Sequence, residues 1–282
     1  MNKMIGVFDS GFGGLTIFKE LVKKLPQYNY IYLGDSARAP YGNRSQDLIF
    51  EWTQQAVDYL FEPPHQTFGS GGKHGCQLII LACNTASAEA LRKIQQEYLP
   101  LKYPKRRVLG VIRPTAEEAI KITKNNKIGV IGTERTVSSE AFIKEIKKLN
   151  SSIKVFQQAC PLLVPMIEAG GHDWEGVDLI LKKYLTPLIG KKIDTLILGC
   201  THYPIIKDKI KKITGQIQLI SQEEIIGPKL VDYLKRHPEI EKKLGKSKKR
   251  IFLTTDSTDR FQKLGSQFFG KKIFPKIISL EK

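Results

Sequence analysis

Two cysteines carry the chemistry that can be read most directly from this chain. Cys83 follows the apolar run "QLIILA" and is followed by Asn84 and Thr85; Cys200 follows "DTLILG" and is followed by Thr201 and His202. A single cysteine at the tip of a buried strand is most often a small core hydrophobe. Two at matching positions, each beside hydroxyl or amide side chains, suit acid–base work. A thiol at the start of a helix is acidified by backbone N–H groups and the helix dipole, and its thiolate is a general base. A second thiol facing it across a cleft is a general acid. A carbon held between them loses a proton on one face and gains one on the other, which inverts a stereocentre. The two thiols must then hold opposite protonation states, coupled to the bound ligand. Asp9 and His202 are the residues placed to tune them.

Other polar clusters follow apolar runs in the same way. "FDSGFGG" presents Asp9 and Ser10 ahead of glycines that let backbone amides approach a ligand, "GDSARAPYG" presents Asp35, Ser36, Tyr41 and Gly42, and "GTERT" presents Thr133 and Thr136. "DSGFGG" has neither the GxGxxG order of a dinucleotide fingerprint nor the GK[ST] ending of a P-loop.

The elements that must position these groups alternate along the chain. Strands are expected over 3–8, 29–34, 77–83, 106–112, 127–132, 153–159, 194–200, 216–220 and 250–255. Helices are expected over 14–24, 45–61, 86–97, 114–123, 137–149, 174–188, 204–213, 222–235 and 257–269. The strands are rich in Ile, Val and Leu with little alternation, as in sheets covered on both faces. The expected fold class is α/β, with mainly parallel sheets. "IGVFDSGFGG" and "LIILACNT" are echoed by "IGVIGTERT" and "LILGCTH", a weak internal repeat that implies two similar α/β domains facing a central cleft. In open α/β sheets ligands sit beyond the carboxyl ends of the strands, where every cluster above falls. The segment 62–75, "EPPHQTFGSGGKHG", breaks the rhythm and reads as a surface loop; its His65 and His74 are expected to be incidental, as is Cys76.

A chain of 282 residues, 41% hydrophobic and 26% charged, can build one large or two modest domains. No apolar run approaches the ~20 residues of a membrane helix, so no membrane partner is expected. The start, "MNKMIGVFDSGFGG", lacks the apolar stretch and cleavage site of a signal peptide, which makes the expected location cytoplasmic. Four cysteines (Cys76, Cys83, Cys160 and Cys200) with no CxxC or HxxxH spacing indicate free thiols and no metal site. Cys160, ahead of Pro161, is read as packing. The net charge of +17 attracts anions, whether nucleic acid, anionic lipid or an acidic small molecule. Its one dense run, "KKLGKSKKR" at 242–250, reads as a solvated loop with no nucleic-acid module around it.

The motifs "GVFDSGFGG", "LGDSARAPYG", "ACNTASA", "IGTERTV", "CPLLVPMIE", "LGCTHYP" and "FLTTDSTDRF" run nearly end to end, and in them the chain resembles the cofactor-independent aspartate/glutamate racemase family. The resemblance implies interconversion of L- and D-glutamate, supplying D-glutamate for peptidoglycan and hence for cell-wall biogenesis and cell shape. It makes Cys83 and Cys200 the acid/base pair, the first acting on D-glutamate and the second on L-glutamate. Asp9 would assist Cys83. His202 would assist Cys200, with Glu168 influencing the histidine. Substrate contacts carried over by motif are Asp9, Ser10, Tyr41, Gly42, Asn84, Thr85, Thr136, Thr201 and His202. The family pattern implies no cofactor and no metal, a homodimer, and two domains, here 1–109 with 219–282 and 110–218. The 62–75 loop is longer than the pattern and Arg113 in "GVIRP" is unusual for it. The chain starts just before its first strand, without the extension of members activated by a cell-wall precursor, so such activation is not expected. The nearest rival is aspartate racemisation. From another class, a nucleic-acid- or topoisomerase-binding role is suggested only by the charge. Thiol–disulfide exchange between Cys83 and Cys200 is disfavoured by the missing CxxC.

Overall fold

A computed structural model of the protein describes residues 3–63 and 75–281. His65 and His74 lie outside the described residues. Ten strands form two parallel sheets. The first contains β1 (Met4–Asp9), β2 (Tyr30–Gly34), β3 (Cys76–Leu81), β4 (Arg107–Gly110), β9 (Arg250–Thr254) and β10 (Lys276–Ile277), in the order β10-β9-β2-β1-β3-β4. The second contains β5 (Lys127–Gly132), β6 (Lys154–Ala159), β7 (Thr195–Gly199) and β8 (Gln218–Ile220), in the order β6-β5-β7-β8.

The order β2-β1-β3-β4 in the first sheet is repeated as β6-β5-β7-β8 in the second, which is the physical basis of the sequence echo. Helices and 3₁₀ or irregular turns connect the strands and bury both faces; β1, β2, β3 and β7 are buried along their whole length. Their uniform hydrophobicity follows from that double cover. Gly6 in β1 and Gly129 in β5 sit where side chains of the neighbouring strand press closely: a Cβ on Gly6 would come within 2.9 Å of Cys76 Sγ in β3, and one on Gly129 within 3.1 Å of Leu196 Cδ1 in β7. Cys76 is thereby fixed as a packing residue at the start of β3.

Differences from the expected elements have local causes. The helix Ile112–Ile122 begins two residues early, because Val111 C=O accepts from the Thr115 hydroxyl (2.6 Å) and Pro114, lacking an N–H, is tolerated in a first turn. The expected helix 137–149 is two helices, Glu134–Ser138 and Ala141–Leu149, separated where Glu140 takes a left-handed φ of 55°. The helix Leu163–Glu168 was hidden in "CPLLVPMIE" by its two prolines. β10, two residues long, offers too little pattern to be read.

Candidate active site

The carboxyl ends of β1, β3, β5 and β7 converge on one cavity of about 140 Å³. β1 hands over directly to β3: Phe8 C=O accepts from both Ala82 N–H (2.8 Å) and Cys83 N–H (3.4 Å). That fixes Cys83 as the residue before the helix Asn84–Glu89. Ser87 closes the turn by donating to Leu81 C=O (2.8 Å). Cys200 comes one residue after β7, and its carbonyl accepts from Tyr203 N–H (3.2 Å), turning the chain so that Thr201 and His202 face inward. Both thiols are buried, both line the cavity, and all four cysteines are free.

The surroundings of the two thiols differ. Cys83 donates to Ser10 Oγ at 3.5 Å. Burial pushes this thiol up to about 12, and the neighbouring Asp9 carboxylate pushes the same way, against the Ser10 hydroxyl and the Ala86 N–H. The expectation of an acidified helix-start thiol is therefore corrected for Cys83: one helical N–H acts as expected, but desolvation and a like charge outweigh it. Asp9 does not touch Cys83. Its Oδ1 accepts from Gly11 N–H (2.9 Å) and its Oδ2 from Thr201 Oγ1 (3.3 Å), so it ties the β1 turn to the Cys200 loop. Burial raises Asp9, opposed by His202 and by its hydrogen bonds.

Cys200 Sγ lies 3.8 Å from His202 Nδ1, and His202 Nε2 lies 2.9 Å from Glu168 Oε1. Burial pushes His202 down, but its bonds to Cys200 and Glu168 more than offset this and carry it up to about 10. Arg260 completes the line, with Nη2 3.6 Å from Glu168 Oε2. The histidine is wedged edge-on against Phe268, with ring centroids 5.5 Å apart. Gly13 packs on the other side; a Cβ there would come within 2.6 Å of His202 Nδ1 and meet Thr201 Oγ1 as well, so the "GFGG" turn requires glycine for close approach.

On the same cavity wall stands a hydroxyl cluster. Thr85 Oγ1 is 3.0 Å from Thr133 Oγ1 and 3.4 Å from Thr136 Oγ1, and Thr133 and Thr136 are 3.0 Å apart. This cluster joins a helix of the first sheet to one of the second, beside the ion pair Arg135–Glu89 (2.8 Å). A Cβ on Gly42 would approach Thr133 Cβ within 2.7 Å, so that turn too packs closely on the second sheet's loops.

Of the residues expected at the site, Ser10, Tyr41, Gly42, Cys83, Asn84, Thr85, Cys200, Thr201 and His202 line the cavity. Asp9, Glu168 and Thr136 stand behind that lining, each one hydrogen bond removed from it. The Tyr41 hydroxyl is committed to buried Asp35 (2.5 Å), which also takes Arg38 (2.7 Å) and Thr255 (2.8 Å), so Tyr41 presents its ring and backbone. Asn84 is paired reciprocally with Gln222: Nδ2 to Oε1 at 2.7 Å, and Nε2 to Oδ1 at 2.6 Å. Gln222 and Arg260 were missed in the sequence, where each is one polar residue among many in a helix. Cys160 packs as expected, its thiol raised by burial, yet its residue also forms part of the cavity wall with Pro161 and Val164. Among the described residues no group of His, Cys, Asp and Glu could hold a metal ion. Arg113 is surface-exposed and pairs with Glu117 (3.2 Å) and Glu145 (3.5 Å), away from this cavity.

The chain matches known proteins over nearly its full length. A glutamate racemase of Sulfurihydrogenibium sp. is 40% identical over 266 residues, which is 94% of each chain. The structure superposes on glutamate racemase isoform RacE1 of Bacillus anthracis with a TM-score of 0.86 at 35% identity, covering 99% of this chain and 98% of that one. The glutamate racemase of Francisella tularensis, solved in complex with D-glutamate, gives 0.85 at 36% identity over the same shares. Residues 5–225 match the family described as Asp/Glu/Hydantoin racemase. With two buried thiols at equivalent strand ends on one cavity and relatives aligned along nearly the whole chain, the protein belongs to the Asp/Glu/Hydantoin racemase family.

Proposed function

We propose that this protein interconverts L- and D-glutamate by a two-thiol proton transfer, and that it supplies D-glutamate for peptidoglycan. The observation that carries the mechanism is the pair of buried cysteines at equivalent places in two repeated sheets, sharing one small cavity but provided with different partners. The substrate reading is supported by relatives named as glutamate racemases.

The reaction needs one thiol and one thiolate at the start of each turnover. Burial and Asp9 hold Cys83 as the thiol, ready to donate. The His202 imidazolium offers a thiolate at Cys200 a cation 3.8 Å away. In the direction from L- to D-glutamate, Cys200 removes the α-proton and Cys83 delivers another to the opposite face. In the reverse direction Cys83 removes the α-proton of D-glutamate and Cys200 returns one to the opposite face. Asp9 and Glu168 act as positioning and charge-setting residues from behind the cavity. Ser10, Asn84, Thr85 and Thr201 are assigned to the substrate's polar groups, with Thr136 supporting Thr85. Preorganised dipoles of this kind stabilise charge developing at the α-carbon, and more strongly where water is excluded.

We propose the division 1–109 with 219–282 and 110–218 for the two lobes, and a homodimer as the assembly. The assignment is tested by incubating purified protein and a thiol reductant with each enantiomer of glutamate and of aspartate, with no added cofactor, and following optical activity. Turnover of glutamate alone supports the reading. Turnover of aspartate alone moves the protein to the sister activity, and turnover of neither overturns the racemase assignment.

A further inference from the structure

The positive charge of the chain is not spread evenly over the first sheet. All its strands are parallel, so among the described residues the turns that lead from a helix into a strand lie at one end, opposite the cavity. The register sets Tyr30 level with Ile5 and Arg250, and Arg107 level with Leu78, so these turns share a common face. The turns 22–30, 100–107, 242–250 and 270–276 hold two, four, six and three lysines or arginines respectively, and no aspartate or glutamate; Glu62, on the way into β3, adds one acidic group at this end, 3.9 Å from Arg106. At the cavity end, Asp9, Asp35, Asp256 and Asp259 balance Arg38, Arg44 and Arg260.

Helix carboxyl termini favour cations, and part of this charge serves the fold. Arg250 donates to Tyr28 C=O (2.5 Å) and Pro26 C=O (2.6 Å), Arg106 donates to Phe61 C=O, and Arg107 to Pro104 C=O (3.2 Å). The arginines are thus turned inward. The lysines are not: Lys24, Lys105, Lys243, Lys271 and Lys272 are exposed and make no ion pair among the described residues, and exposed Lys242 has only Glu241 near it. Two large apolar side chains stand out among them, Leu101 at 87% and Phe274 at 70% exposure, the first beside Lys102 and the second with Lys272 Nζ 5.4 Å from its ring centroid. They mark opposite edges of a six-strand face, about 24 Å apart at the usual strand spacing.

We propose that this end of the first sheet is a docking surface for an anionic membrane, held by lysines and anchored by Leu101 and Phe274. Exposed lysines around apolar side chains form the pattern of peripheral binding to acidic lipid. A duplex nucleic acid fits less well, because the arginines that would grip phosphates are occupied. A peripheral contact needs no spanning helix. It departs from the expectation that the chain has no membrane partner and does not depend on the racemase assignment.

The test is co-sedimentation of the full-length protein with vesicles of phosphatidylcholine containing about 30% phosphatidylglycerol, against pure phosphatidylcholine. Binding to the acidic vesicles is expected in ~0.05 M salt and is expected to be lost near ~0.5 M. At about five-fold per lysine, reversing four charges (Lys242→Glu, Lys243→Glu, Lys271→Glu, Lys272→Glu) is expected to weaken partitioning more than a hundred-fold. Phe274→Ser is expected to weaken it several-fold with racemisation and thermal melting unchanged. Failure to bind acidic vesicles at low salt overturns the proposal. So does binding that Phe274→Ser leaves intact, or a preference for duplex DNA over vesicles in direct competition.

Discussion

Replacing Glu168 by Gln keeps the shape of the Cys200 arm and removes one charge from it. In the native site His202 stands near 10 instead of its ordinary 6.5, carried there against burial by Cys200 and Glu168. A carboxylate at hydrogen-bond distance from a buried cation accounts for about 1–3 pH units, and the amide that replaces it keeps only a neutral contact. If the imidazolium is the working form, activity is lost as pH rises through the His202 value. The alkaline limb of kcat/KM should therefore fall by about 1–2 pH units in Glu168→Gln, with about two- to ten-fold less activity near pH 9 and a smaller loss near pH 7. Arg260→Met supplies the opposite sign. It frees the Glu168 carboxylate from a competing cation 3.6 Å away, so the limb should stay or move up, by a few tenths of a unit because Arg260 is largely exposed. The stability linkage has the same direction. A raised His202 contributes stability that is complete below about 6.5 and fades as pH rises through about 10, so Glu168→Gln should lose more melting temperature at pH 7 than at pH 10.5. The assay is the initial rate of optical-rotation change from pH 6 to 10.5, at subsaturating glutamate. The substrate's own ammonium titrates in all variants alike, so the difference between variants carries the result. An alkaline limb that does not move in a folded Glu168→Gln protein would refute the relay.

Three further outcomes are expected. With its thiol held at about 12 instead of 9.0, Cys83 should be alkylated by iodoacetamide at pH 7.5 about a thousand-fold more slowly than an ordinary cysteine; Asp9→Asn should speed it by removing a like charge, as read by peptide mass spectrometry. Gly13→Ala should displace Thr201 and His202 and cost about 1–3 kcal/mol in a denaturant midpoint, with racemisation falling more than a hundred-fold. Gln222→Leu strips the Asn84 amide of its buried partner, which should cost about 1–3 kcal/mol of stability and raise KM for glutamate more than it lowers kcat.

Much of this architecture was legible because parallel strands covered on both faces are uniformly apolar, and because the chemistry sits where they end. The repeat of "IGVFDSGFGG" and "LIILACNT" told of two sheets before the shared strand order explained it. What the sequence concealed depends on long-range packing. The Asn84–Gln222 pair spans 138 positions, and Arg260 reaches Glu168 from a helix near the far end of the chain. Proline in "CPLLVPMIE" hid the helix that delivers Glu168 to His202. The acidification expected of a helix-start thiol fails at Cys83 for the same reason. Helix position can be read from sequence, but burial and the nearness of Asp9 belong to the folded site.

The central claim is that two thiols on opposite sides of one carbon perform the inversion. Its most direct test is racemisation of unlabelled L-glutamate in D₂O, stopped early and analysed by mass spectrometry for each enantiomer, with Cys83→Ser and Cys200→Ser alongside. The account predicts that the D-glutamate formed carries one solvent deuterium at the α-carbon while the remaining L-glutamate carries almost none. It also predicts that each serine variant, still folded by circular dichroism, loses racemisation. Product without deuterium, or full racemisation in either variant, would contradict it.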